Sequence, residues 1–154
     1  MSIPELVFDR TVEDAVSADC ETVVLDYAER QRSRQRIKLA SGRDAAIVLA
    51  RGTTLSGGER LASACGTHLV VHCADEQVST ASTDDPVLLA RACYHLGNRH
   101  LPLQVAQGWV RYRRDHVIDD LAAQLGLQLI HEDAPFEPED GAYRNSTAHA
   151  HHHG

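Results

Sequence analysis

The chain has 154 residues, 43% of them hydrophobic, and its 15 Lys plus Arg against 22 Asp plus Glu give a formal net charge of −7. This length allows one domain or two small ones with packed cores. The chain contains no basic block of the kind that a nucleic-acid binder uses. No apolar run approaches the roughly 20 residues required to cross a bilayer, so neither nucleic acid nor a membrane is an expected partner.

The N-terminus and the cysteines predict a cytoplasmic protein. The opening residues MSIPELVFDR have neither a charged n-region nor an apolar h-region, so no secretory signal peptide is expected. Four cysteines occur without the spacing of a disulfide framework, which is typical of free thiols in a reducing compartment.

The first half of the chain, residues 1–75, is predicted to be a small antiparallel β domain, a sandwich or a barrel. Short apolar or alternating runs are separated by turn signals such as Ser41-Gly42 and Gly57-Gly58. The arginine-rich segment Arg30–Arg36 is interpreted as a solvated turn leading into a strand. The predicted strands are 3–8, 22–26, 36–40, 45–50 and 68–73.

Residues 76–141 show a different pattern, in which strands alternate with two amphipathic helices. The element order β-α-β-β-α-β indicates a ferredoxin-like domain, so the fold class is α+β. Residues 142–154 are predicted to be a flexible His-rich tail, disordered without metal. The predicted elements are a strand at 77–81, a helix capped by Thr83 or Asp84, strands at 103–106 and 109–112 joined at Gln107-Gly108, a helix capped by Asp115 and ended by Gly126, and a strand at 127–131.

His100 has two competing interpretations. It falls at helical spacing with Leu89, Cys93 and Leu96, so it is either a buried core histidine or a metal ligand. His95 cannot chelate with it on one helix, because five residues at about 100° each leave the side chains about 140° apart. A metal site at His100 therefore needs outside ligands, which a second copy in a homodimer would supply.

Two further histidine groups are candidate metal ligands. Four imidazoles lie in the terminal AHAHHHG, whose irregular spacing favours a native metal-binding tail over a purification tag. His116, with Asp119 and Asp120 one turn later, is a secondary candidate, although a solvated first helical turn is the commoner arrangement. The pairs Cys65/His68 and His72/Cys73 are interpreted as incidental, since a strand directs His72 and Cys73 to opposite faces. The tail ligands would be His149, His151, His152 and His153.

The sequence motifs YHLGNRHLPLQV (94–105) and APFEPEDGAY (134–143), followed by the His-rich end, closely resemble the urease accessory protein UreE family of nickel metallochaperones. The resemblance extends over nearly the whole chain. It implies an N-terminal domain of peptide-binding type, a ferredoxin-like metal-binding domain, and a homodimer joined through the second domain. It also implies that His100 is the central ligand, one from each subunit.

The resemblance further implies Ni²⁺ as the cargo, with Zn²⁺ or Cu²⁺ as alternatives in vitro, since imidazole alone does not select nickel. The implied partners are the urease accessory GTPase and the complex of urease apoprotein with accessory proteins. The stretch RYRRDH retains only His116 where some relatives carry more histidines, and the tail is shorter than the longest in the family. Fewer bound ions are therefore expected.

Three functions are compatible with these features. The leading hypothesis is a non-enzymatic nickel carrier for urease, and the second is a metal buffer or storage protein that delivers to no partner. The third, a small metal-dependent hydrolase, is disfavoured because the chain contains no HExxH motif, nucleophile elbow or phosphate-binding loop.

Overall fold

A computed structural model of the chain describes residues 6–13 and 20–140. The chain divides into two compact units, Met1–Glu76 and Gln77–Gly154. It combines two sheets with few helices, which confirms the α+β class. In the described ranges, no helix is long and apolar enough to span a membrane. The predicted disordered tail, residues 142–154, lies outside the described residues.

The first unit contains a six-stranded sheet in the order β2-β6-β5-β1-β4-β3. The predicted strand at 68–73 is confirmed to the residue, whereas β5 was not predicted. Of the predicted strand 3–8, residues 3–5 lie outside the described ranges, and the observed strand begins at Val7. The strands are β1 (Val7–Val12), β2 (Cys20–Leu25), β3 (Arg34–Lys38), β4 (Asp44–Val48), β5 (Arg60–Ser63) and β6 (His68–Cys73).

The prediction that this sheet is antiparallel throughout is wrong. Strand β1 pairs with β4 in parallel, and β2 pairs with β6 in parallel. Parallel neighbours require a long crossover between them, and here the intervening strands themselves provide it. Alternate residues of the strands face one core, which contains Leu6, Phe8, Val23, Leu25, Ile37, Leu39, Ala45, Ile47, Leu49, Leu55, Leu61, Leu69 and Val71.

One helical turn, α1 (Tyr27–Arg30), was missed by the sequence analysis. Its signal is the Asp26-x-x-Glu29 capping box, in which Asp26 Oδ1 accepts from Glu29 N at 2.8 Å and Glu29 Oε1 accepts from Asp26 N at 3.1 Å. The last residue of this turn, Arg30, is only 1% exposed and donates from Nη1 to the carbonyl of Leu25 at 2.7 Å. The solvated interpretation of Arg30–Arg36 is therefore wrong for Arg30.

The second unit contains a four-stranded sheet in the order β10-β7-β9-β8 and two helices. The cap of α3 at Asp115 and its end at Gly126, which has a φ of 103°, are confirmed. The hairpin at Gln107-Gly108 is confirmed as well. The cap of α2 is Asp85 rather than Thr83 or Asp84. The elements are β7 (Asp75–Ser82), α2 (Pro86–Gly97), β8 (Gln104–Ala106), β9 (Trp109–Arg113), α3 (His116–Leu125) and β10 (Gln128–Pro135).

The segment after β10, residues 136–139, is here called the strap. Strands β10 and β8 form opposite edges of the sheet. The strap joins these edges, because Glu137 N donates to Gln104 Oε1 at 3.0 Å and Glu139 N donates to the carbonyl of Leu103 at 2.9 Å. Phe136 is fully buried. The strap therefore places Glu139 beside Leu103, three residues after His100.

Candidate metal centre

His100 lies beyond the end of α2, not on its apolar face. The helix ends at Gly97 with Asn98 as its C-cap. The next two amides form hydrogen bonds three residues back: Arg99 N donates to the carbonyl of Leu96, and His100 N donates to that of Gly97, each at 3.1 Å. The prediction that His100 continues the face of Leu96 is therefore wrong, because the helix closes in a tight turn before reaching it.

The imidazole of His100 is exposed on this turn. Its φ of 58° makes it the only non-glycine residue with positive φ among those described, a conformation that costs energy for most L-residues. The neighbouring Leu101 packs against the core of the second unit. The core-histidine interpretation is thus wrong, and the structure presents His100 to solvent on a turn held at both ends.

The electrostatic surroundings of His100 are mixed. The C-terminal end of α2 carries the negative end of the helix dipole, which favours a cation. The adjacent Arg99 is exposed and works against it. Across residues 6–13 and 20–140, no group of three or more His, Cys, Asp or Glu side chains is arranged to hold a metal ion. Within one described chain, His100 could therefore contribute a single ligand to a site completed from elsewhere.

His116 is the exposed first residue of α3. The carboxylate of Asp119, one turn further, is occupied by other residues. Asp119 Oδ1 accepts from Tyr112 Oη at 2.7 Å, and Oδ2 lies 2.8 Å from His131 Nε2. Asp119 therefore belongs to a cluster that ties α3 to β9 and β10, whereas Asp120, the other candidate partner of His116, is exposed.

Sequence reasoning missed His131, which it placed only at the end of a strand. No local pattern in the sequence points to His131, because its partner Asp119 lies twelve residues earlier. The two side chains meet only when α3 packs beside β10. When Nε2–H donates to Asp119, the other ring nitrogen keeps a free lone pair. Carboxylate-oriented imidazoles of this kind are common metal ligands, although in the described chain no three-ligand set includes His131.

The contacts within this cluster shift the pKa values of Asp119 and Tyr112 in opposite directions. Burial raises the pKa of Asp119, but the hydrogen bonds from Tyr112 and His131 outweigh it, so the pKa lies below its ordinary value. Burial, together with the hydrogen bond and the negative charge of Asp119, raises the pKa of the Tyr112 phenol. The cluster therefore holds a neutral tyrosine against an ionised carboxylate.

Replacing Asp119 with Asn should lower the free energy of unfolding at pH 7 by about 1–3 kcal/mol, because a charged acceptor to the buried Tyr112 is lost. The lowered folded-state pKa of Asp119 contributes stability above the unfolded-state pKa of about 3.9, and that stability is lost as the pH falls through the folded-state value. Urea titrations should thus show the difference between wild type and variant shrinking below about pH 4. The exposed neighbour Asp120→Asn is the control, and an equal loss there would contradict the assignment.

Cys65, His68, His72 and Cys73, all in the described ranges, belong to no group of three or more side chains arranged to hold a metal ion. His72 is exposed, and Cys65 lies on the exposed β5–β6 turn. Hydrogen bonds with the Ser63 and Thr67 hydroxyls lower the pKa of the Cys65 thiol to about 7. All four cysteines, which lie in the described ranges, are free thiols. The tail candidates His149, His151, His152 and His153 lie outside the described residues.

Comparison with known families accounts for both units. Residues 9–74 match the family described as "UreE urease accessory protein, N-terminal domain", and residues 76–154 match "UreE urease accessory protein, C-terminal domain". The chain belongs to the UreE family. The turn that carries His100 and the strap both lie within the second match.

Curated relatives of the UreE family match nearly the full chain. "Urease accessory protein UreE" of Pseudomonas putida (strain GB-1) is 51% identical over 148 residues, covering 95% of this chain and 89% of the relative. The protein of the same name from Alkalilimnicola ehrlichii is 49% identical, covering 90% and 84%. That of Vibrio parahaemolyticus is 49% identical, covering 88% and 87%. The family consists of accessory proteins of urease and not of urease itself.

Proposed function

We propose that this protein is a non-enzymatic nickel carrier that delivers Ni²⁺ for assembly of the urease metallocentre. The observation that carries the proposal is the exposed imidazole of His100, held on a turn without an accompanying ligand set in its own described chain. A catalytic zinc site usually has three protein ligands and an open position. A single fixed imidazole suits an ion that must be received and released.

The proposal includes a homodimer whose two copies of His100 share the ion at a twofold axis. An isologous interface brings the same residue from both copies together. Exposed apolar side chains on α2 and at the β8 edge support an interface in this unit: Tyr94 is 68% exposed, Val87 58% and Val105 41%. The strand order β10-β7-β9-β8 and the two crossover helices support a ferredoxin-like arrangement for the same unit.

The tail histidines are proposed as additional ligands for the same ion or for further ions. The strap anchors Glu139 beside Leu103, close in sequence to His100. His149 follows Glu139 by ten residues, and an extended chain covers up to about 35 Å over that length. The imidazoles of His149, His151, His152 and His153 can therefore reach the turn. His116, exposed at the start of α3, is proposed only as a peripheral ligand.

Deletion of residues 144–154 should reduce the number of nickel ions per dimer but leave about one tightly bound ion, because a twofold site takes one His100 from each subunit. Calorimetric titration of the truncated and full-length chains, with the dimer checked by light scattering, measures both quantities. A complete loss of tight binding would place the main site in the tail. A truncated monomer that binds one ion tightly would contradict the shared site.

The decisive experiment is activation of urease apoprotein, in its complex with the accessory proteins and the accessory GTPase, at limiting nickel. Addition of the nickel-loaded chain should increase the urease activity formed, compared with the same total nickel added as free ion. The alternative function, a buffer or storage protein, predicts the opposite result, since a sequestering protein would lower activation. The four free thiols are consistent with a reducing cytoplasm.

A further inference from the structure

Arg99 immediately precedes His100 on the turn that closes α2. Both residues are exposed, and both of their amides take part in that turn. Successive Cα atoms lie about 3.8 Å apart. The Arg99 guanidinium and an ion held by the His100 imidazole are therefore separated by a distance comparable to the Debye length, about 8 Å at physiological ionic strength. At this range the two charges still interact.

The charge of Arg99 is not neutralised by its own chain. In residues 6–13 and 20–140, the Arg99 side chain takes part in no ion pair and no hydrogen bond. The strap brings the backbone of Glu139 to Leu103, but neither its carboxylate nor that of Glu137 pairs with Arg99. Because a guanidinium stays protonated throughout the physiological pH range, the positive charge beside His100 is permanent.

Two opposing charges therefore act on an ion at His100. The C-terminal end of α2 contributes the equivalent of about half a negative elementary charge, whereas Arg99 contributes a full positive charge. The local balance is positive, since no carboxylate of the described residues pairs with Arg99. A storage site gains affinity from negative charge near the ion, so the opposite arrangement favours an ion that leaves.

We propose that Arg99 holds down the nickel affinity of the His100 site and thereby sets how fast the ion is released. This role rests on the proposed function, because Arg99 acts on an ion bound by His100 and is not itself a ligand. The twofold axis that joins two copies of His100 also brings two copies of Arg99 to the site. Two guanidinium charges then repel one divalent ion, which lowers its affinity and shortens the time for which it stays bound.

The test uses the full-length protein and Ni²⁺. Calorimetric titration measures the affinity of the tightest site, and stopped-flow transfer from the singly loaded dimer to the uncharged chelator terpyridine measures the rate of release. Arg99→Gln removes both charges from the dimer and should tighten binding and slow release by about fivefold to tenfold at about 20 mM salt. The gain should shrink below about twofold at about 0.5 M salt, where the charges are screened. A merely structural effect of Arg99 would not depend on salt in this way.

Two matched variants serve as controls for Arg99→Gln. Arg99→Lys retains the positive charge and should remain within about twofold of wild type at both salt concentrations. Arg91→Gln removes the same number of charges at an exposed position about two turns earlier on α2. It should also stay within about twofold of wild type, because the ion is more than a Debye length away. Circular dichroism of the metal-free variants checks that each is folded.

Unchanged or weaker nickel binding in Arg99→Gln would overturn the proposal, and so would a gain that persists at high salt or appears equally in Arg91→Gln. His100→Asn, measured in parallel, separates the role of Arg99 from the proposed function. Loss of tight binding in His100→Asn, together with no effect of Arg99→Gln, would refute only the role of Arg99. Tight binding that survives His100→Asn would refute the shared His100 site, and the role of Arg99 with it.

Discussion

Replacing His100 with Asn is expected to abolish the tight shared nickel site and urease activation at limiting nickel, while leaving the free energy of unfolding within about 0.5 kcal/mol of wild type. The imidazole is exposed, so its removal leaves no cavity. Asn is preferred over Ala because the φ of this residue is 58°. Ala in the left-handed region costs about 1 kcal/mol, whereas Asn tolerates it. The Asn variant therefore separates loss of the ligand from strain in the turn.

The measurements are calorimetric nickel titration, urea unfolding of the metal-free protein and the reconstituted activation assay. His95→Asn is the matched control, since His95 is also exposed and lies in the last turn of α2. It should retain both nickel binding and delivery. Tight binding that survives His100→Asn, or a large drop in stability of the metal-free variant, would refute the assignment of His100 as the central ligand.

Replacing Phe136 with Ala is expected to lower the free energy of unfolding of the second unit by about 3–5 kcal/mol, as for other fully buried aromatic residues. Phe136 is 0% exposed and begins the strap. Without this anchor, the bonds of Glu137 to Gln104 and of Glu139 to Leu103 lose the packing that holds them in place. Glu139 would then no longer be fixed beside Leu103. We expect urea unfolding to show the lost stability.

Two variants serve as controls for Phe136. Phe136→Leu retains most of the buried volume and should cost less than about 1.5 kcal/mol. Ile130→Ala removes an apolar side chain that is 56% exposed on β10 and should have a smaller effect than Phe136→Ala. A loss below about 1 kcal/mol for Phe136→Ala would show that the strap is not an anchored part of the second unit.

Elements with strong local signals were predictable from the sequence. Asp115 and Gly126 bound α3 as expected, because capping depends on a side chain bonding to nearby amides and on a residue that accepts positive φ. The hairpin at Gln107-Gly108 and the strand β6 followed from turn residues and alternation. The capping box of α1 was readable too, but one helical turn gives no apolar period to draw attention to it.

The sequence analysis singled out His100 as a candidate ligand, but it did not predict where His100 lies relative to the helix. His100 was singled out by its spacing, and it became specific only through the resemblance to the UreE family. The exposure of His100 depends on where α2 ends. The sequence spacing could not predict that end, because Leu96 and His100 are four residues apart and would share one face of a longer helix. The turn after Gly97 ends the helix instead, and Leu101 then returns to the core. The helical spacing of the apolar residues thus continues past Gly97, although the helix itself ends there.

Other features arose only from contacts between residues far apart in the chain. The parallel pairing of β1 with β4 and of β2 with β6 joins segments separated by several other elements. The burial of Arg30, in a run of otherwise exposed arginines, depends on the carbonyl of Leu25 and on the surrounding core. The Tyr112–Asp119–His131 cluster likewise requires β9, α3 and β10 to be packed together. Caps and turns form from neighbouring residues and can be predicted locally, whereas register, burial and side-chain partners depend on which distant strands pack side by side.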